Sequence, residues 1–280
     1  MKVAAVFVLF HPDQSLEKHI SAVFDEIDQL YLYRNSTITA ARAEALENAF
    51  GHKLCWLGNG KNAGIARALN RGLIEARRAG CTWLVTMDQD TYIETCVFRQ
   101  LKQRAARKDE LCLLFTPNLM INHQPAYADQ QATHWVMSSA NFVRTDSADL
   151  VGAYNQDYFI DGVDIEFCLR LDAAGYHFEV EQDLQVEHSL GRQLKTRLLG
   201  KDLTISEFQP VRKYYIFRNY LDIIWRKPAG IREKLALLGI LFYRLKLALF
   251  IEPDKAASLR MIFKGILHGL SANLGKLDRQ

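Results

Sequence analysis

The tripeptide Asp88-Gln89-Asp90 follows directly on an apolar run from Thr82 to Met87. Two carboxylates at i and i+2 on a turn can hold a hard divalent cation and the ribose of a nucleotide together. Mg²⁺ and Mn²⁺ take oxygen ligands and commonly keep one or two protein carboxylates beside substrate phosphates. In that reading Asp90 reaches the metal and Asp88 the ribose hydroxyls. The same tripeptide, taken alone, also describes a solvated turn. A second acidic group, Asp161-Gly162-Val163-Asp164-Ile165-Glu166, opens a helical pattern. A carboxylate there that faces a substrate can act as general base towards a hydroxyl, an effect of about 10²–10⁴ in rate. Acid in a first helical turn also simply stabilises the macrodipole, and Glu166 has Arg170 at i+4 as an internal partner. His188, after Val186-Glu187, offers an imidazole as a further metal ligand or as a structural side chain.

A third stretch, Asn59-Gly60-Lys61-Asn62-Ala63-Gly64-Ile65-Ala66, runs on to Leu69-Asn70-Arg71-Gly72. Small residues at the mouth of a helix let a ligand approach the backbone, and a helix N-terminus favours anions. A capped helix with Gly64 near its start fits the same letters. The stretch is neither a Walker loop nor a GxGxxG fingerprint, so ATP hydrolysis and a nicotinamide cofactor are not supported.

What positions these groups is an alternation of strands and helices. The apolar run Val3 to Phe10 reads as a strand buried on both faces. Helical spacing over Ser15 to Asp28 is followed by a strand at Leu30 to Tyr33, a helix at Thr39 to Phe50, a strand at Lys53 to Leu57, a helix from about Ala63 to Ala79 and a strand at Thr82 to Met87. Further strands are expected at Leu111 to Thr116, Ser138 to Arg144 and His177 to Val180, with a helix at Asp164 to Ala174. Strands alternating with helices imply an α/β fold with a mostly parallel sheet, whose ligands lie beyond the carboxyl ends of the strands. Each polar cluster of the first half falls at such an end.

Composition bounds the class. The chain has 280 residues, 49% hydrophobic and 24% charged, ordinary for a folded protein with a sizeable core. Its five cysteines form no CxxC pair, which suits free thiols in a reducing compartment. Lys2 before the first apolar run imitates a signal peptide, but His11-Pro12-Asp13 follows without a small-residue cleavage site. The net charge of +3 divides into −8 over residues 1–191 and +11 over residues 192–280, so the two parts face different partners.

Together the segments NGKNAGIARALNRG, MDQDT and FIDGVDIEFCLR, in this order, resemble glycosyltransferase family 2 with its GT-A, Rossmann-like fold, and specifically the bacterial rhamnosyltransferase-like branch. The resemblance covers roughly residues 3–225, and RKYYIFRN at 212–219 is similar to a segment that follows the catalytic domain in that branch. It implies an inverting transfer from a nucleoside-diphosphate sugar, usually dTDP-L-rhamnose, to a saccharide or lipid-linked acceptor in bacterial surface polysaccharide synthesis. It implies Mg²⁺ or Mn²⁺ as cofactor, held by Asp90 and His188, with Asp164 as base. The donor site would comprise Phe10, Arg34, Asn35, Asn62, Ile65, Asn70, Asp88, Gln89 and Asp90. Two departures stand out. Arg34 precedes Asn35 where the family carries an acidic residue for the nucleobase, and Val163-Asp164 replaces a Glu-Asp pair, which makes Asp161 a competing base. UDP-galactose as donor and a binding protein without turnover are the alternatives.

A catalytic domain over residues 1–200 is then expected, with a helical region over 201–280. Leu235 to Phe250 is apolar but broken by Arg244 and Lys246. Leu259, Ile262, Phe263, Ile266, Leu267 and Leu270 form a stripe facing Arg260, Lys264 and His268. Basic amphipathic helices suit an anionic membrane surface, and packing within the protein or in a homo-oligomer suits the same pattern. The expectation is a cytoplasmic protein lying on the inner face of the membrane. The stripe and the lack of nucleic-acid-binding motifs argue against a nucleic-acid partner.

Overall fold

The computed structural model describes residues 1–130, 132–188, 192–198 and 201–277. Gly191 and Gly200, which bracket the expected change of composition and domain, lie outside the described residues. In chain order the elements are β1 (Val3–Leu9), α1 (Leu16–Phe24), β2 (Gln29–Arg34), α2 (Ala40–Phe50), β3 (Leu54–Leu57), α3 (Ile65–Arg78) and β4 (Trp83–Asp88). There follow α4 (Thr95–Ala105), β5 (Cys112–Ile121), β6 (Gln124–Pro125), β7 (Asn141–Arg144), α5 (Ser147–Leu150), α6 (Val163–Ala173) and β8 (His177–Glu187). A hairpin of β9 (Arg192–Leu198) and β10 (Lys201–Glu207) leads to α7 (Pro210–Arg226), α8 (Ile231–Phe250) and α9 (Lys255–Leu270).

The main sheet runs β3-β2-β1-β4-β7-β5-β6, with β8 also on β5. β1 pairs in parallel with β2 and β4, β2 with β3, and β5 with β8. β7 lies antiparallel between β4 and β5. This is the mostly parallel α/β sheet that the alternation implies. Six of the seven residues of β1 are buried, because helices cover both faces. Helix α3 lies so close that a Cβ on Gly72 would come within 3.0 Å of the Val6 side chain. Register then sets the cleft: Leu9 stands opposite Arg34 and Val8 opposite Asp88, so the polar ends of three neighbouring strands share one edge.

Several elements exceed the expectation. β5 and β8 continue to Ile121 and Glu187, past the points where their apolar runs end, because a long parallel pairing joins them. Helix α4 buries Phe98, Leu101 and Ala105, a stripe too thin to stand out among its polar residues.

The last three helices pack closely. Gly265 and Gly269 of α9 sit against α7, where added Cβ atoms would lie 2.5 Å from the Tyr214 carbonyl oxygen and 2.7 Å from that of Arg218. Of the expected α9 stripe, Ile262 faces inward, whereas Phe263, Leu267 and Leu270 are exposed. They join Trp225, Ile231, Leu235, Phe242 and Phe250 as large apolar side chains in solvent. No helix among the described residues is long and apolar enough to cross a membrane.

Candidate active site

The acidic tripeptide leaves β4 at the open edge of the sheet, and a Thr91 amide to Asp88 carbonyl bond closes the turn. Gln89 turns back to Phe10. Its Oε1 accepts from the Phe10 amide at 2.7 Å and its Nε2 donates to the Phe10 carbonyl at 3.0 Å, which ties the end of β1 to the end of β4. Gln89 therefore fastens the cleft wall through its side chain, and Asp88 and Asp90 are left to face the cleft. Asp88 is half-buried and accepts a hydrogen bond from Ser139. Burial, and then the neighbouring charge of Asp90, push its pKa up to about 6. Asp90 is exposed.

His188 arrives from the end of β8. It is buried, and its Nδ1 lies 3.3 Å from the hydroxyl of Thr91, which in turn bonds Ser139. Burial lowers the imidazole pKa, opposed by attraction to Asp90, so the ring is neutral near pH 7 and able to bind a metal. Asp90 and a neutral imidazole are donors that suit a hard divalent cation once substrate phosphates complete the set, but Asp88, Asp90 and His188 do not bring three ligand atoms within 4.8 Å of one another. The three-ligand cluster that the described residues do close, Cys112, His177 and Glu179, lies at the far ends of β5 and β8. There Lys108 already holds Glu179 at 2.6 Å.

The second acidic group reaches the same cleft by another route. Residues 157–162 form a tight loop leading into α6, in which Phe159, Asp161 and Gly162 have φ of 64°, 60° and 80°. Left-handed backbone at two non-glycine residues is held here by α7. Asn219 Nδ2 lies within bonding distance of the carbonyls of Tyr158, Ile160 and Asp161, at 3.0, 2.9 and 2.6 Å. Arg218, fully buried, donates to the carbonyls of Asp157 and Tyr158, and Tyr158 donates its hydroxyl to Asp222 at 2.7 Å.

The loop gives its carboxylates separate environments. Asp161 receives three N–H contacts from Arg212 at 3.0–3.2 Å and forms an ion pair with it. Among the described residues no cation pairs with Asp164, which accepts from the Ile165 amide at 3.0 Å. Burial first, and then the charge of Asp161, raise its pKa to about 6. Glu166 is buried in a two-bond pair with Arg170, as the i+4 spacing suggests. The two acidic groups converge: Arg212, bonded to Asp161, also stabilises the charge of Asp88.

The remaining expected donor residues are more structural in geometry. Asn35 is buried and bridges the loop before α3, donating to the Gly64 carbonyl at 3.2 Å and accepting from the Ala63 amide at 3.0 Å. Asn62 accepts from the Gly64 amide. Asn70 is buried and bonds both backbone groups of Tyr154 at 2.8 Å. The approach that Gly64 permits is that of the chain itself. A Cβ there would lie 2.6 Å from the Phe159 carbonyl oxygen, which accepts from the Ile65 amide. The mouth of α3 thus holds the base loop. Arg34 donates to the Gly58 carbonyl and stacks on Trp56. A groove of about 460 Å³ beside it is lined by Tyr33, Trp56, Gly58, Arg67 and Arg71. Phe10 is exposed at the cleft rim.

The sequence reading missed Arg212, Ser139, Thr91 and Asn219. Only RKYYIFRN gave a signal, and its role appears once α7 is folded against the loop.

No family model matches the chain. It is 24% identical to the dTDP-rhamnosyl transferase RfbF of Shigella flexneri over 78% of each chain. It superposes on TarS of S. aureus, residues 1–349, solved in complex with UDP-GlcNAc. The TM-score is 0.59 at 12% identity, over 97% of this chain and 83% of that one. Against a longer TarS chain the score is 0.56 at 14% identity, over 91% of this chain but 46% of TarS, so the chain spans about half of that protein. In fold, then, the chain is a mostly parallel α/β sheet flanked by helices like that of TarS, and in sequence it is similar to a dTDP-rhamnosyl transferase.

Proposed function

We propose that the protein is an inverting glycosyltransferase that moves L-rhamnose from dTDP-L-rhamnose to a saccharide or lipid-linked acceptor of bacterial surface polysaccharide. The observation that carries this reading is the convergence of Asp88 and Asp90 with the differently treated pair Asp161 and Asp164 at one sheet edge. A carboxylate base must be ionised yet basic. Asp164, with a pKa of about 6 and no paired cation among the described residues, suits that task better than Asp161, which Arg212 holds.

In this mechanism Asp164 accepts the proton of the acceptor hydroxyl as its oxygen attacks the anomeric carbon, on the face opposite the departing diphosphate. The bond from the anomeric carbon to the diphosphate breaks, and configuration inverts. Asp88 orients the ribose. Asp90 and His188 would hold Mg²⁺ or Mn²⁺, which when bound supplies Lewis-acid stabilisation of the leaving diphosphate. The likeness to RfbF supports the donor, and TarS with UDP-GlcNAc supports a nucleotide sugar in this fold.

The exposed apolar side chains of α7, α8 and α9, among Arg232, Lys234, Lys246, Arg260 and Lys264, support attachment to an anionic membrane surface. Flotation with vesicles containing anionic lipid should carry the protein upward at low salt. A protein that stays at the bottom of the gradient counts against that part. The test of the reaction is a panel of nucleoside-diphosphate sugars, scored for release of the nucleoside diphosphate with acceptor, with Mg²⁺ or Mn²⁺ and with EDTA. Consumption of dTDP-L-rhamnose that EDTA abolishes is expected. Faster use of UDP-galactose reassigns the donor, and binding without release of any nucleotide sinks the enzyme.

A further inference from the structure

The cleft is bordered on its base side by cations that the C-terminal helices supply. Arg212 near the start of α7 and Arg244 in the middle of α8 both stack on Phe208, with guanidinium carbons 4.1 and 4.0 Å from the ring centroid. Both guanidiniums thus pack on one ring, close enough to feel each other's charge. Phe208 itself is buried and anchors both.

The two arginines differ in how their charge is met. Arg212 is held by Asp161. Arg244 donates to the Ser206 carbonyl at 2.9 Å, and among the described residues no carboxylate lies within ion-pair distance of it. It is half-buried, and burial and the nearby Arg212 charge work against its protonated state, while Glu252, already paired with Lys213, attracts it from beyond ion-pair distance. Tyr220, which feels the charges of Asp161, Asp164, Arg212 and Arg244, lies between this pair and the base loop. A cation partly withdrawn from water without a counter-charge is unfavourable. A planar guanidinium fork is also the side chain best matched to phosphate oxygens.

We propose that Arg244, with Arg212 packed on the same Phe208 ring, forms a phosphate-recognition site at the base end of the cleft, so that the appendage helix α8 contributes a substrate-binding residue. This rests on the transferase reading for the identity of the ligand. The phosphate is either the diphosphate of the sugar donor or the phosphate of a lipid-linked acceptor. The helical region is then part of the active site as well as a surface for docking.

The experiment titrates the full-length protein with inorganic pyrophosphate by calorimetry. Wild type, Arg244→Gln, Arg244→Lys and Arg232→Gln are compared. Arg232 is exposed on the same helix, twelve residues and about 18 Å away along the axis. Arg244→Gln should weaken pyrophosphate about tenfold or more, the loss of one charge-assisted pair, and Arg244→Lys should recover part of it. Arg232→Gln should bind as wild type does. Displacement of pyrophosphate by dTDP assigns the site to the donor. Displacement by a prenyl diphosphate but not by dTDP assigns it to the acceptor. Equal affinity in Arg244→Gln and wild type overturns the proposal, as does an equal loss in Arg232→Gln. The titration needs no turnover, so a protein that binds pyrophosphate through Arg244 yet transfers no sugar sinks the transferase reading alone.

Discussion

The two acidic ends of the cleft are built on different principles. Asp88 and Asp90 leave a central strand whose place is set by ladders to β1 and β7 on either side, and one local side chain, Gln89, finishes the job. Asp161 sits on a loop, and Asp164 in the first helical turn that the loop delivers, and the loop's backbone has left-handed residues, Phe159 and Asp161, where L side chains are disfavoured by about 1 kcal/mol or more each. That loop keeps its shape because α7, more than fifty residues later, supplies Asn219, Arg218 and Arg212. The carboxylates proposed for cation and ribose are thus placed by strand register. The acidic pair proposed to hold the base is placed here by tertiary clamping, and the clamp pairs Arg212 with Asp161 while Asp164 is left to burial.

The largest expected effect tests the charge. Asp164→Asn should lower transfer by about 10²–10⁴ while leaving dTDP binding intact, since it removes proton acceptance and little volume. Near-wild-type turnover removes Asp164 from the role of base. The wild-type rate should rise with pH through about 6, as the Asp164 carboxyl ionises, and the variant should lack that limb. Stability carries the opposite sign. The folded protein holds the Asp164 proton more tightly than an unfolded chain does, so ionisation costs stability as pH climbs above the ordinary 3.8, and the cost is complete above about 6. The shift sets a ceiling of roughly 3 kcal/mol, and a gain of about 1–2 kcal/mol is expected for the amide at pH 7–8. Thermal melts of both proteins should converge below pH 4. A variant less stable than wild type at pH 8 contradicts the burial argument.

The same contrast explains what could be read from the sequence. β1 to β4 announce themselves because a strand buried on both faces needs an uninterrupted apolar run, and Val3 to Leu9 and Trp83 to Met87 supply one. The position of Asp88-Gln89-Asp90 followed at once. The direction of β7 did not, since side-chain pattern is the same for parallel and antiparallel neighbours. Gly64 was legible as a place of close approach, but the approaching group is Phe159 of the chain itself. Asn35 and Asn70, polar residues at the expected edge, have side chains bonded to the backbone of distant loops, a relation that no local window contains. Arg212 and Asn219 could not be assigned roles from RKYYIFRN, because their partners lie about fifty to sixty residues earlier. The α9 stripe was legible as amphipathic. Its orientation was decided instead by Gly265 and Gly269, whose missing side chains let α7 approach and turn Phe263 and Leu267 outward.

The difference between the two ends can be measured directly by removing one fastening from each. Asn219→Ala takes away the amide that bridges the carbonyls of Tyr158, Ile160 and Asp161. Buried acceptors left without a donor should cost about 1–3 kcal/mol of stability, and the released loop should lower kcat by about tenfold to a hundredfold, as misplacement of a reacting group does. The KM for the donor should hold, since the strand ends that carry Asp88 and Asp90 are fixed by β1 and β7 and Asn219 touches neither. Gln89→Ala removes two bonds to the Phe10 backbone at a partly exposed site, for about 0.5–1.5 kcal/mol. The ladders of β1 and β4 remain, so kcat should fall only a few-fold, with the change concentrated in donor KM. Steady-state kinetics on both variants beside their melts decide the matter. Equal kcat losses in the two variants, or a donor KM that moves in Asn219→Ala alone, mean that the cleft is one cooperative unit. Asn219 then positions the whole sheet edge, and the division between a register-built end and a clamped end does not hold.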